Sequence, residues 1–131
     1  MSIIRYVDFL ESKKDKFPNI KSIEVDGYSV LIGRDAVSND HLTTIMAKDD
    51  DLWFHAKGIP GSHVIIRQGD RLVTPEVKLK VAKITLSNSK FKQGENLVVC
   101  CKAKYVKKDS EMPPGKVRVD YKNAEEIKIN I

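Results

Sequence analysis

The sequence predicts an α+β domain on a largely antiparallel sheet with two or three helices, and three observations predict it. Asp26-Gly27 lies between two runs of alternating apolar residues, at 20–25 and 28–32, the pattern of a tight two-residue hairpin. Residues 51–67 set a loop bearing Gly58, Pro60 and Gly61 between two segments rich in aromatic and β-branched side chains, which reads as a second hairpin. Thr74-Pro75-Glu76 is a helix opening: a threonine cap, a proline at the first helical position and an acid in the first turn. Adjacent hairpins interrupted by short helices give α+β rather than a parallel sheet. With 131 residues, one domain over 1–131 is expected.

Taken in order, residues 3–16 read as a helix with one apolar face, capped by Ser2 and ended by Pro18-Asn19. Gly33-Arg34-Asp35 leaves the first hairpin, and Ser38-Asn39-Asp40 is expected to cap a short helix through Leu42, Ile45 and Met46. Residues 48–51 form an acidic turn. Strands are expected at 52–56 and 63–67, with a loop at 57–62 in which Gly61→Val is expected to destabilise the domain if Gly61 takes a positive φ. After the turn at 68–71, Val77, Leu79 and Val81 alternate as in a strand, whereas Val77-Val81-Ile84 and Leu79-Ala82-Leu86 make two helical stripes. The cap and the length of the pattern select helix. A strand at 96–105, a loop at 106–114 holding Lys107-Lys108, and closing strands at 116–121 and 125–131 complete the chain.

Composition narrows the class. Charged residues make up 31% and hydrophobic residues 41%, as in a soluble globular protein, and no apolar run approaches the roughly 18 residues of a membrane span. Residues 1–20 lack a leader pattern, so a cytoplasmic protein is expected, without a membrane partner. Cys100 and Cys101 are adjacent in an expected strand and point to opposite faces, which implies neither a disulfide nor a metal site. The formal charge is +5, and residues 77–108 hold nine lysines against Glu95 alone, so the basic excess sits in one third of the chain. That is expected of a segment lying along a polyanion, and equally of a solvated lysine face.

Candidate site residues follow from alternation along the second hairpin. Leu52, Phe54 and Ala56 share one face with Val64 and Ile66, while Trp53 and His55 share the other with His63, Ile65 and Arg67. Two readings stay open for that second face: a buried tryptophan with two hydrogen-bonded histidines, or an accessible platform that stacks bases and grips phosphate. Gly33-Arg34-Asp35 is too short for a phosphate loop, and no Walker or dinucleotide fingerprint is present, so neither nucleotide hydrolysis nor a cofactor is expected. The run Asp49-Asp50-Asp51 lacks the spaced oxygens of a calcium loop and reads as a turn.

The ordered blocks Gly33-Arg34-Asp35, Asn39-Asp40 with Leu42-Thr43, Asp51-x-Trp53-Phe54-His55-Ala56, Pro60-Gly61-Ser62-His63-Val64 with Arg67, and Pro114-Gly115 resemble the signature of the NFACT-R domain. The resemblance covers about residues 20–130 and departs at Asn88-Ser89-Lys90, where that family commonly has a Tyr-Ser pair. It implies a stand-alone RNA-binding domain acting on tRNA or ribosomal RNA, in translation or ribosome-associated quality control, with RNA and the ribosome as partners. It implies no catalytic residue and no small-molecule substrate. Nothing in the chain resembles the amino-terminal NFACT-N domain or the coiled coil of full-length members. The resemblance, the mixed face and the lysine-rich third together nominate Arg34, Trp53, His55, His63, Arg67, Lys107 and Lys108 as RNA-binding residues. Two other classes fit the same residues: a protein–protein adaptor on the ribosome or a quality-control complex, with the Trp53 face meeting a protein, and, more remotely, a hydrolase using His55 or His63 with a nearby acid.

Overall fold

The computed structural model describes residues 17–131, and the helix expected at 3–16 lies outside them. Six antiparallel strands form one sheet: β1 (Ile20–Val25), β2 (Tyr28–Gly33), β3 (Leu52–Ala56), β4 (Val64–Arg67), β5 (Glu95–Lys102) and β8 (Glu125–Asn130), in the order β1-β2-β4-β3-β5-β8. A separate two-stranded ribbon joins β6 (Val106–Lys107) to β7 (Arg118–Val119). The described α-helices are α1 (Ala36–His41) and α2 (Pro75–Ser87). The α+β architecture is the expected one.

Local chemistry accounts for most of these elements. Asp26 (φ 49°) and Gly27 (φ 85°) both take positive φ, closing the β1–β2 turn with Val25 opposite Tyr28. Thr74 Oγ1 accepts from the Val77 amide at 3.2 Å, Pro75 opens α2, and Val77, Val81, Ala82 and Leu86 bury one stripe of the helix against the sheet. Beneath α2 lie Val30, Ile32, Phe54, Val64, Ile66 and Val98, all essentially without water contact. The pairing of Leu52 with Ile66 and Phe54 with Val64 puts those residues on the α2 side, and that of Trp53 with Ile65 fixes the opposite face. Cys100 and Cys101 divide between the two sides as free, buried thiols, pushed up to about 12 and about 11 chiefly by burial.

Four local expectations need correction. The cap of α1 is Asp35, whose Oδ1 accepts from the Ser38 amide at 2.8 Å, so the helix begins before Ser38-Asn39-Asp40. Those three residues are spent on tertiary contacts instead. The helix then widens into a π turn over Leu42–Met46, with Ala47 N–H donating to the Leu42 carbonyl. β5 stops at Lys102 because its partner β3 begins at Leu52; the Ala103 and Lys104 amides turn onto the carbonyls of Asp51 and Asp49. Lys107 lies in β6 opposite Arg118 rather than in a loop, because buried Val106 pairs with Val119. Finally, the closing strand at 116–121 shortens to β7, since Asp120 caps a 3-10 turn at Tyr121–Asn123.

Candidate nucleic-acid interface

Among the described residues, the sheet face away from α2 is only partly covered. The α1 segment with its π turn closes over Leu31, Trp53 and Ile65, and the β6–β7 ribbon closes over Val99 and Cys101. Between them lies a groove of about 1130 Å³ whose floor includes Trp53, His55 and Val99. Its sides come from the β3–β4 loop, the segment after α2 and the long β6–β7 turn.

A chain of hydrogen bonds builds this region. Trp53 Nε1–H donates to Thr43 Oγ1 at 3.0 Å, and Thr43 Oγ1 lies 2.7 Å from His63 Nδ1. His63 Nε2 is 3.1 Å from the Gly115 carbonyl, which can only accept. The assignment that satisfies every group is therefore a neutral His63 with its proton on Nε2, accepting the threonine hydroxyl at Nδ1. Burial, reinforced by neighbouring His55, drives the His63 pKa down to about 4, in keeping with that tautomer. His55 is also lowered from its ordinary value, by burial first, with a backbone hydrogen bond at Gly61 opposing. Both imidazoles are neutral at pH 7.

The β6–β7 turn is tied down from α1. Asp40 Oδ1 accepts from the Gly115 amide at 2.9 Å and its Oδ2 pairs with Lys108 Nζ at 3.1 Å. Lys108 also donates to the carbonyls of Pro113 and Lys116. Gly115 has φ 84°, and an added Cβ would sit 3.2 Å from Ala36, so glycine suits this crossing. Across the groove, Asn39 Oδ1 accepts from the His63 amide. Gly61 forms a bridge with Ser89 so close that a Cβ would lie 2.0 Å from the serine Oγ. Gly61 does not take a positive φ, so close approach to Ser89 is its constraint.

The structure separates the nominated residues. Trp53 and His63 are each 1% exposed, so the shared accessible face expected of Trp53, His55, His63 and Arg67 does not form. Arg67 points beneath the π turn, donating to the Met46 carbonyl at 2.7 Å and pairing with Asp51 at 3.1 Å. Asp51, buried, also accepts from the Lys48 and Gln68 amides, which gives the acidic turn a structural role. Lys108 is the clamp just described, and Lys107 is exposed outside the groove, beside Lys104 and Arg118. Arg34 and His55 line the groove with accessible surface, while Trp53 and His63 line it from buried positions.

Around that floor stand residues the sequence reading passed over: Lys57, Lys90, Lys116 and Tyr121. Lys57 pairs with Glu126 and sits 5.2 Å over the Tyr121 ring. Arg34, Lys90 and Lys116 are exposed and make no ion pair among the described residues. Among the described residues the one acid lining the groove, Asp35, is engaged as the cap of α1. By contrast, four of the nine lysines of residues 77–108 (Lys78, Lys80, Lys102 and Lys108) are ion-paired, and those on α2 lie across the sheet. The basic third is dispersed over the surface rather than laid along one track. Period-two alternation carried the missing signal: His55 and Lys57 follow Trp53 on one face, and Val117, Val119 and Tyr121 line up likewise. Nothing in the sequence brings Lys90 beside them.

This sheet, with its tied-down ribbon, carries one basic-rimmed groove on its open face. The chain belongs to the NFACT protein RNA binding domain family, whose model matches residues 16–121. It is 34% identical over 112 residues to the Rqc2 homolog RqcH of Bacillus subtilis, covering 84% of this chain and 19% of that protein. It is 40% identical over 96 residues to the Rqc2 homolog RqcH of Streptococcus suis, covering 71% of this chain and 17% of the relative. The chain thus spans less than a fifth of the length of these relatives. Its fold matches the structure of the C-terminal region of the fibronectin/fibrinogen-binding protein from Streptococcus suis, with a TM-score of 0.74 and 27% identity, over 99% of this chain and 57% of that one.

Proposed function

We propose that this chain is an RNA-binding module that grips RNA in the groove between the β3–β4 loop and the β6–β7 turn, on tRNA or ribosomal RNA, in ribosome-associated quality control. The observation that carries the reading is that Arg34, Lys90 and Lys116, cations without acidic partners among the described residues, surround a flat neutral floor in a chain of this family. Phosphate attracts unpaired cations more strongly than those already neutralised by carboxylates. The likeness to the Rqc2 homologs RqcH supports the quality-control setting, and we place that work in the cytoplasm. In this reading Arg34, His55, Lys57, Lys90, Lys116 and Tyr121 contact RNA, whereas Trp53, His63, Arg67 and Lys108 hold the groove in shape. The reading assigns no catalytic residue: both ring nitrogens of His63 have partners, Thr43 Oγ1 and the Gly115 carbonyl, and neither is an acid.

Binding of labelled tRNA and of a ribosomal RNA fragment, followed across salt concentration, tests this. Three phosphate contacts give a slope of log affinity against log salt of about −2 to −3. Replacing Lys90 and Lys116 together by Ala lowers its magnitude by about 1.5. Absence of RNA binding at low salt overturns the proposal and favours the protein-adaptor class.

A further inference from the structure

We infer that the groove takes an unpaired nucleotide with its base directed inward against Tyr121 and His55 and its phosphates at the rim on Arg34, Lys90 and Lys116, so that the module selects single-stranded or looped RNA over duplex. This rests on the RNA-binding reading above and adds the class of RNA.

Charge and flatness are divided between the rim of the groove and its floor. The cations that line the groove are all exposed, while its floor consists of a buried indole and imidazoles that carry no charge at neutral pH. A neutral floor gives a phosphate nothing to pair with. It does offer a base ring-faced contact, and His55, whose ring N–H is engaged by the Gly61 backbone, can accept at its other nitrogen from a base edge. Tyr121 is 53% exposed although it lines the groove, and Lys57 beside its ring keeps that aromatic surface polarised. His55 is the partly exposed imidazole, stacked on Trp53 with ring centroids 5.8 Å apart and an interplanar angle of 19°, which fixes its orientation. A duplex presents phosphates outward and keeps its bases stacked within, so it can meet the rim and leave the floor unused. An unpaired nucleotide can use both, and a volume of about 1130 Å³ accommodates more than one.

The test uses the full chain, a ten-nucleotide single-stranded RNA carrying one 2-aminopurine, and a blunt duplex RNA with the same number of phosphates. Single strand is expected to bind about tenfold more tightly than duplex. Tyr121→Leu is expected to lose about tenfold for the single strand, with the salt slope, the duplex affinity and the melting temperature unchanged, while Tyr121→Phe retains binding. The 2-aminopurine emission should quench on binding to wild type and to the Phe variant only. Equal affinity for the two RNAs, with no effect of Tyr121→Leu, overturns the base-inward inference and leaves the RNA-binding reading standing. No binding to either RNA sinks both.

Discussion

The two faces of the sheet are made by alternate residues of the same strands, yet they are closed by different means. On one side a single 13-residue helix, α2, lays an apolar stripe over Val30, Phe54, Val64, Ile66 and Val98. On the other, a six-residue helix, a π turn and a two-stranded ribbon meet Trp53 and Ile65, and hydrogen bonds do much of the joining: Thr43 to Trp53 and His63, Asp40 to Gly115 and Lys108, Asn39 to His63. Non-directional contact suits a face that needs only to be shut. Directional bonds suit one that must stay open by a defined width, because they hold pieces apart as well as together. Among the described residues, the groove exists because the second face is bridged at its ends and not in the middle.

The comparison can be broken most forcefully from the closed side. Phe54→Ala empties a fully buried site under α2 and is expected to cost about 4 kcal/mol by chemical denaturation, with little change in RNA affinity per folded molecule. Asp51→Ala attacks the open side, stranding the Lys48 and Gln68 amides and the Arg67 guanidinium, and should cost about 3 kcal/mol. Arg67→Ala is expected to lower the melting temperature more than the affinity.

Acid sharpens the contrast, since the closed side has no imidazole among its buried residues. The His63 pKa in the folded chain is lowered to about 4 from an ordinary value of 6.5. The unfolded chain therefore binds the proton first as pH falls, and stability is lost between about pH 6.5 and 4, by at most about 3 kcal/mol. Imidazole titration by NMR should give a midpoint near 4 for His63. A midpoint near 6.5 would show the hydrogen-bond chain to be wrong. Gly61→Ala, a smaller perturbation, is expected to cost about 2 kcal/mol through the Ser89 clash, and adding Ser89→Gly should recover part of it.

Features set within a few residues were legible in the sequence. Asp26-Gly27 announced its turn, Thr74-Pro75-Glu76 its helix, and the alternation along 52–56 and 63–67 sorted the two faces correctly. Features that depend on distant partners were not. Asp35, Ser38, Asn39 and Asp40 are all good caps, and only the tertiary demands of His63 and Gly115 show that Asp35 takes that role. Arg67 ends a strand beside a histidine-bearing loop, a pattern that fits a rim position; its capture by Asp51 depends on how the π turn folds over it. Gly61 offered a reason for glycine, but the operative one is Ser89, brought close by α2. Lysines read as one basic run scatter because a helix and an antiparallel pair send neighbours in sequence to different sides of the sheet.

In the proposed reading RNA binds the open face and not the lysine-bearing face of α2. Two triple variants, Arg34→Ala/Lys90→Ala/Lys116→Ala and Lys78→Ala/Lys80→Ala/Lys83→Ala, remove the same formal charge from opposite sides of the sheet. Measured side by side for tRNA affinity across salt, the groove variant is predicted to lose about two units of salt slope and most of its low-salt affinity, while the α2 variant stays close to wild type. Equal losses in both, or a larger loss in the α2 variant, would contradict the account.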